Sequence, residues 1–167
     1  MDSLEEKRSV DEELVAIVEN NACGTDAVQV LTGCTFGKGN FIFKDYGKHA
    51  FTFMGRNSGK GVRVTMNPGG FKQDNRHQEL MAKIREGKAI PSEQQEFQKL
   101  HRQKAIDVLD MPAEKLFTIK WIDKEPPSKA KVEPSIMCDK CGEPTMASKL
   151  EKVGEKRFCQ ECAKGDV

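Results

Sequence analysis

The sequence predicts an α+β fold, a mixed or antiparallel sheet with packed helices, followed by a small C-terminal zinc-finger module. Three observations predict it. The run Leu14-Val15-Ala16-Ile17-Val18 is short, continuously apolar and rich in β-branched side chains, as in a strand buried on both faces. Alternating segments such as Phe51-Thr52-Phe53-Met54 share the chain with segments of helical period. Two Cys-x-x-Cys pairs, Cys138 with Cys141 and Cys159 with Cys162, are separated by 17 residues near the C-terminus.

Taken in order, residues 1–10 are charged and read as a flexible N-terminus. A core domain is expected over 11–123. Its first strand, over 13–19, is broken by Asn20-Asn21, and a helix follows over 23–34 with Ala27, Val28, Val30 and Leu31 on its apolar face. After a loop at 37–40 the pattern predicts a meander of three strands, 41–43, 49–54 and 62–66. Asn67-Pro68-Gly69-Gly70 then breaks the chain. A helix over 77–86 carries Leu80, Met81 and Ile84 and stops at Gly87. Ser92, with Gln95 three residues on, predicts a capping box opening a helix to about residue 109. Its expected inward face is Phe97, Leu100, Ala105, Ile106 and Leu109. The last core strand, 116–122, places Phe117, Ile119 and Trp121 on one side. Residues 124–136 are rich in proline and charge and read as a linker, leaving a module at 137–163.

Composition narrows the function classes. A chain of 167 residues allows one domain, or a medium domain with a small module. Its net charge of +1 gives no general pull towards nucleic acid or anionic membrane. In the module, Lys140, Lys149, Lys152, Lys156, Arg157 and Lys164 are balanced by Asp139, Glu143, Glu151, Glu155, Glu161 and Asp166, so nucleic acid is not an expected partner. The acidic start, Met1-Asp2-Ser3-Leu4-Glu5-Glu6, is not a secretion signal, and no run has membrane-spanning length. With metal-type cysteine spacing, this predicts a cytoplasmic protein.

Each Cys-x-x-Cys turn lets two thiolates bind one ion, and the second pair completes a tetrahedron around Zn²⁺. Cys138, Cys141, Cys159 and Cys162 are therefore the expected ligands of one structural zinc per chain, with no coordination position left for substrate. Gly142 suits a turn whose amides point at the sulfurs. Two disulfides, or a redox motif, are the alternative.

In the core, residues 20–40 concentrate polar chemistry. Cys23 at a helix start would lie where the dipole favours thiolate, with Asp26 in the same turn. A thiolate there can ligate a metal or act as a nucleophile. Cys34 lies eleven residues on, roughly 16 Å away along a helix, beyond disulfide reach. Burial as a small hydrophobe is the alternative for both. Lys38, between Gly37 and Gly39, is placed to meet an anion, but neither this loop nor residues 55–61 has the spacing of a phosphate-binding P-loop. His49, His77 and His101 have no regular ligand spacing and read as surface or packing residues.

The run over 12–40, with Asn20-Asn21-Ala22-Cys23-Gly24-Thr25-Asp26-Ala27 and Thr32-Gly33-Cys34-Thr35-Phe36-Gly37-Lys38-Gly39-Asn40, closely resembles the FmdE family of formylmethanofuran dehydrogenase proteins. The likeness continues through Asp45-Tyr46-Gly47-Lys48-His49 and Phe51-Thr52-Phe53. The C-terminal module is similar to that family's zinc module. Cys138-x-x-Cys141-Gly142-Glu143 also resembles the four-cysteine fingers of DksA/TraR-type transcription factors. The resemblance implies an α+β core, a homodimer and a metal-associated pocket, with room for a second metal in the core. It implies Cys23, Asp26 and Cys34 as catalytic candidates, and Gln29, Thr35, Lys38 and Asn40 as cofactor-binding candidates. The implied role is a metal-associated subunit or accessory protein of one-carbon and redox metabolism, beside a molybdenum or tungsten enzyme. A non-enzymatic adaptor binding RNA polymerase or another protein is the alternative. Family members usually carry His-x-His-x-Cys-Pro-Gly in a first helix, and no such run precedes Glu12. Three readings stay open: a start further upstream, ligands from another polypeptide, or an inert core.

Overall fold

A computed structural model describes residues 4, 6–68 and 74–165. The expected break at Gly69-Gly70, together with Lys72, Met1-Asp2-Ser3, Glu5 and Asp166, lies outside the described residues. The chain divides into two compact units, Met1–Ser128 and Lys129–Val167.

The first unit is built on a five-stranded mixed sheet of order β2-β1-β3-β4-β5. Its strands are β1 (Leu14–Val18), β2 (Phe41–Phe43), β3 (Ala50–Gly55), β4 (Gly61–Met66) and β5 (Phe117–Ile122). Helix α1 (Gly24–Thr32) connects β1 to β2, which run parallel, whereas β1–β3, β3–β4 and β4–β5 are antiparallel. This corrects the expected meander: β2 lies on the far side of β1 from β3. A helix must cross between parallel neighbours, and that crossover places α1 against one sheet face.

The register sets the apolar face. Leu14, Ala16 and Val18 share it with Phe51 and Phe53, then Val62 and Val64, then Ile119 and Trp121. Side chains of period 2 make that face continuous. Val28 of α1, Cys34, Phe41 and Leu4 close the core over β1 and its neighbours. The covering stops short of β5, where Ile119 and Trp121 remain more than half exposed. On α1 the expected apolar face is corrected as well. Val28 and Thr32, one turn apart, are buried, whereas Val30 and Leu31 are 69% exposed.

Two residues of the segment expected as a flexible N-terminus make contacts with the core unit. Leu4 is buried in the core, and Ser9 donates its N–H to the Thr32 carbonyl at 2.7 Å, so the chain is pinned across the end of α1.

Helices α2 (Asn75–Arg85) and α3 (Pro91–Leu109) form a hairpin. Asp74 caps α2 by accepting the amides of Arg76 and His77. The cap of α3 is Ile90, whose amide donates to Glu93 with Pro91 in the first turn, and not the expected Ser92–Gln95 pair. No residue of α3 is buried, contrary to the expected inward face, and Leu109 is 83% exposed. A short helix α4 (Ala113–Leu116) leads into β5. No described helix is long and apolar enough to cross a membrane.

The second unit contains hairpin β6 (Ser135–Met137)–β7 (Pro144–Met146), a 3-10 turn (Ala147–Lys149), hairpin β8 (Glu151–Val153)–β9 (Lys156–Phe158) and helix α5 (Gln160–Lys164). It begins within the expected linker: β6 starts at Ser135, and Glu133 accepts the Ser148 amide.

Candidate metal centre

The four cysteines of the second unit come together. Their sulfurs all lie within 4.8 Å of one another, and this is the one cluster of three or more potential ligands among the described residues. Two local structures produce it. The chain turns after Cys138 so that Gly142 N–H donates to the Cys138 carbonyl at 2.9 Å. Gly142 has φ +73°, a conformation glycine adopts without a Cβ clash. The other pair straddles the start of α5, with Cys159 at its N-cap and Cys162 inside it. The halves are stitched by Asp139, whose amide donates to the Arg157 carbonyl at 2.9 Å and whose carboxylate accepts the Arg157 amide at 2.6 Å.

Donor chemistry and spacing fit a metal ion. Cys141 Sγ and Cys159 Sγ are 3.9 Å apart. That is close to the ~3.8 Å edge of a tetrahedron with 2.3 Å metal–sulfur bonds, and far beyond a disulfide bond. Cys138 Sγ accepts the amides of Cys159 at 3.3 Å and Lys140 at 3.5 Å. These bonds hold its thiol down at about 6, whereas burial and neighbouring thiols push Cys162 up to about 12. A cation is what allows all four to be thiolates together, because it offsets both the desolvation and their mutual repulsion.

The core candidates separate into two groups. Cys23 sits at the N-cap of α1, exposed and making no capping hydrogen bond. Asp26 and Gln29, one and two turns on, line a cleft of about 220 Å³ with Asn20, Thr25, Phe41 and Phe43. Of the other four, Cys34, Lys38 and Asn40 are engaged through their side chains in holding the fold, and Thr35 through its backbone amide. Cys34 lies beyond the left-handed Gly33 cap, fully buried, and donates to the Leu14 carbonyl at 3.2 Å. Burial pushes its thiol pKa up, the opposite of an activated nucleophile. Asn40 is fully buried; its amide donates to the carbonyls of Leu14 and Asp11, each at 2.9 Å, and its oxygen accepts the Thr35 amide at 3.0 Å. Lys38 Nζ donates to the carbonyls of Gly33 at 2.9 Å and Ser9 at 3.2 Å. In this structure the side chains of Cys34, Lys38 and Asn40, expected in catalysis and cofactor binding, bond to backbone carbonyls, and Thr35 is held through its amide. These groups satisfy backbone at the junction of α1, β1 and the N-terminal segment.

One pairing escapes the sequence. His77 of α2 and His101 of α3 meet with Nε2 and Nδ1 3.1 Å apart. They are 24 residues apart and belong to different helices, so only the hairpin's register brings them together.

Fold and site together define a class: an α+β protein with a C-terminal cysteine module built for a metal ion. Within that class, residues 1–118 match the family described as "FmdE, Molybdenum formylmethanofuran dehydrogenase operon". The chain belongs to the FmdE family. It is 35% identical over 160 residues to a probable S-adenosyl-L-methionine-binding protein of Archaeoglobus fulgidus, a match spanning 93% of this chain and 42% of that protein. The chain thus spans less than half the length of this curated relative. It is also similar to the crystal structure of a tungsten formylmethanofuran dehydrogenase FmdE-like protein from Syntrophus aciditrophicus. There the TM-score is 0.56 at 25% identity, with 91% of this chain and 72% of that one covered.

Proposed function

We propose that this chain is a cytoplasmic, homodimeric accessory protein or subunit serving a molybdenum or tungsten enzyme of one-carbon and redox metabolism. One Zn²⁺, held by Cys138, Cys141, Cys159 and Cys162, folds its C-terminal unit. The observation that carries the reading is a four-sulfur site joined to an FmdE-family core. All four donors are protein sulfurs, so the ion would act structurally: it neutralises thiolate charge and fixes two short hairpins and a five-residue helix. The cleft beside Asp26 and Gln29, with Cys23 at the nearby N-cap, offers polar groups to a partner's group or a second metal. The exposed apolar strip of Ile119 and Trp121 supports association with a second copy.

A second reading, a non-enzymatic adaptor, is favoured by the engagement of Cys34, Lys38 and Asn40 in structural hydrogen bonds. Affinity capture of the full chain from its native host separates the two. Co-purification of a molybdenum or tungsten protein supports the subunit reading, and it should weaken in Cys23→Ser. Finger-dependent retention of RNA polymerase in its place would overturn that reading in favour of the adaptor.

A further inference from the structure

The α2–α3 hairpin carries a histidine pair that lies outside both the metal centre and the cleft beside α1. His77 is 3% exposed, in the seam between the helices, while His101 faces solvent. Their rings lie nearly parallel, at 10°, with centroids 5.3 Å apart. Phe97 completes the cluster, its ring 4.9 Å from His77 and 5.3 Å from His101. Nε2 of one faces Nδ1 of the other at 3.1 Å, which is a hydrogen bond only when one nitrogen donates and the other accepts.

We propose that this pair makes the hairpin a proton-sensitive element, closed when at most one of the two imidazoles is charged and opened when both are. A neutral pair satisfies the contact with one N–H···N bond. A single added proton is tolerated on exposed His101, which then donates to neutral His77. A second proton gives both facing nitrogens a hydrogen and both rings a positive charge, and buried His77 cannot turn to water without leaving the seam.

The charged groups acting on His77 from the elements around it are Lys104 and His101 of α3 and Asp74 at the cap of α2. Burial, then Lys104 and His101, hold its pKa below the ordinary histidine value, and Asp74 opposes them weakly. The sign follows. His77 binds its proton less tightly in the closed hairpin than in the open one. Closure is therefore fully favourable above about pH 6.5 and weakens as the pH falls below it. The ion pairs that also join the helices, Arg76–Glu96 and Lys83–Glu93, do not switch in this window, because their carboxyls are held below the usual range. Opening would expose Leu80, fully buried in the same hairpin.

The test is amide hydrogen exchange of the full chain between pH 7.5 and 5.0, corrected for intrinsic rates, with imidazole NMR titration alongside. Protection over residues 75–109 should fall relative to the sheet as the pH drops below about 6.5, because the proton is held more weakly in the closed hairpin than in the open one. His77→Phe, which keeps a flat ring in the seam, should abolish the change. Should that variant fail to fold, the wild-type titration decides. Titration of His77 below the ordinary histidine value, together with the loss of protection, supports the device. Titration of His77 at the ordinary histidine value, or protection that tracks the sheet throughout, overturns it.

Discussion

The Asn40 side-chain amide donates to the Leu14 carbonyl at 2.9 Å, joining the residue before β2 to the first residue of β1 in a fully buried position. The Leu14 carbonyl also accepts the Cys34 thiol, so both ends of the polar run over 34–40 converge on one backbone oxygen. Both side chains thus serve the architecture. Asn40→Ala removes the donor from the Leu14 and Asp11 carbonyls and the acceptor from the Thr35 amide. A loss of about 2–3 kcal/mol is expected, from buried polar groups left unpaired. Urea unfolding checks it; a loss of ligand or metal binding at unchanged stability would restore a binding role.

Gly33 ends α1 at φ +73°, and a Cβ there would stand 2.5 Å from the Ser9 carbonyl oxygen. Gly33→Ala should cost at least about 1–2 kcal/mol from the left-handed backbone alone, with more from displacing the N-terminal segment. Thermal unfolding reads the total. Faster amide exchange at Ser9, whose N–H is held by Thr32, would locate the damage.

Much of the fold is legible in the sequence because period is a strong signal. The run at 14–18, the alternation at 51–54 and the helical stretches at 77–86 and 92–109 reappear as β1, β3, α2 and α3 within a few residues. Partner choice is not legible. Nothing local states that Phe41 pairs in parallel with Ala16 rather than antiparallel with β3, because only the α1 crossover decides it. Polarity at 34–40 is ambiguous for a related reason: a buried asparagine satisfying three backbone groups and a ligand-binding asparagine look alike in sequence. The cysteine cluster is legible because its spacing alone nearly fixes its geometry.

Glu19 and Arg63 pair on the sheet face opposite α1, with Arg63 Nη2 donating to Glu19 Oε2 at 2.9 Å. The arginine's hydrogen bonds hold the Glu19 carboxyl below its ordinary value. Its contribution is therefore complete above the unfolded value of about 4.3 and is lost as the pH falls through the lowered folded value. Glu19→Gln should cost about 1–2 kcal/mol at pH 7, moderated because solvent reaches Arg63, and less at pH 3. Denaturant titrations at both pH values measure the difference.

Trp121 and Ile119 extend the apolar face of the sheet past the cover that α1 provides. On the homodimer reading, Trp121→Lys should convert a species of twice 18.7 kDa into one of 18.7 kDa in light scattering, with the fold retained. A wild type that is monomeric at all concentrations would remove that part of the proposal.

Elemental mass spectrometry of the purified chain, wild type beside Cys138→Ser and Cys23→Ser, bears most directly on the metal centre. One zinc per chain is predicted, lost in Cys138→Ser and kept in Cys23→Ser, with NMR signals of residues 135–165 collapsing on chelation while those of the sheet persist. A wild-type chain that holds no metal after purification under reducing conditions, or one whose zinc survives Cys138→Ser but not Cys23→Ser, would contradict the account.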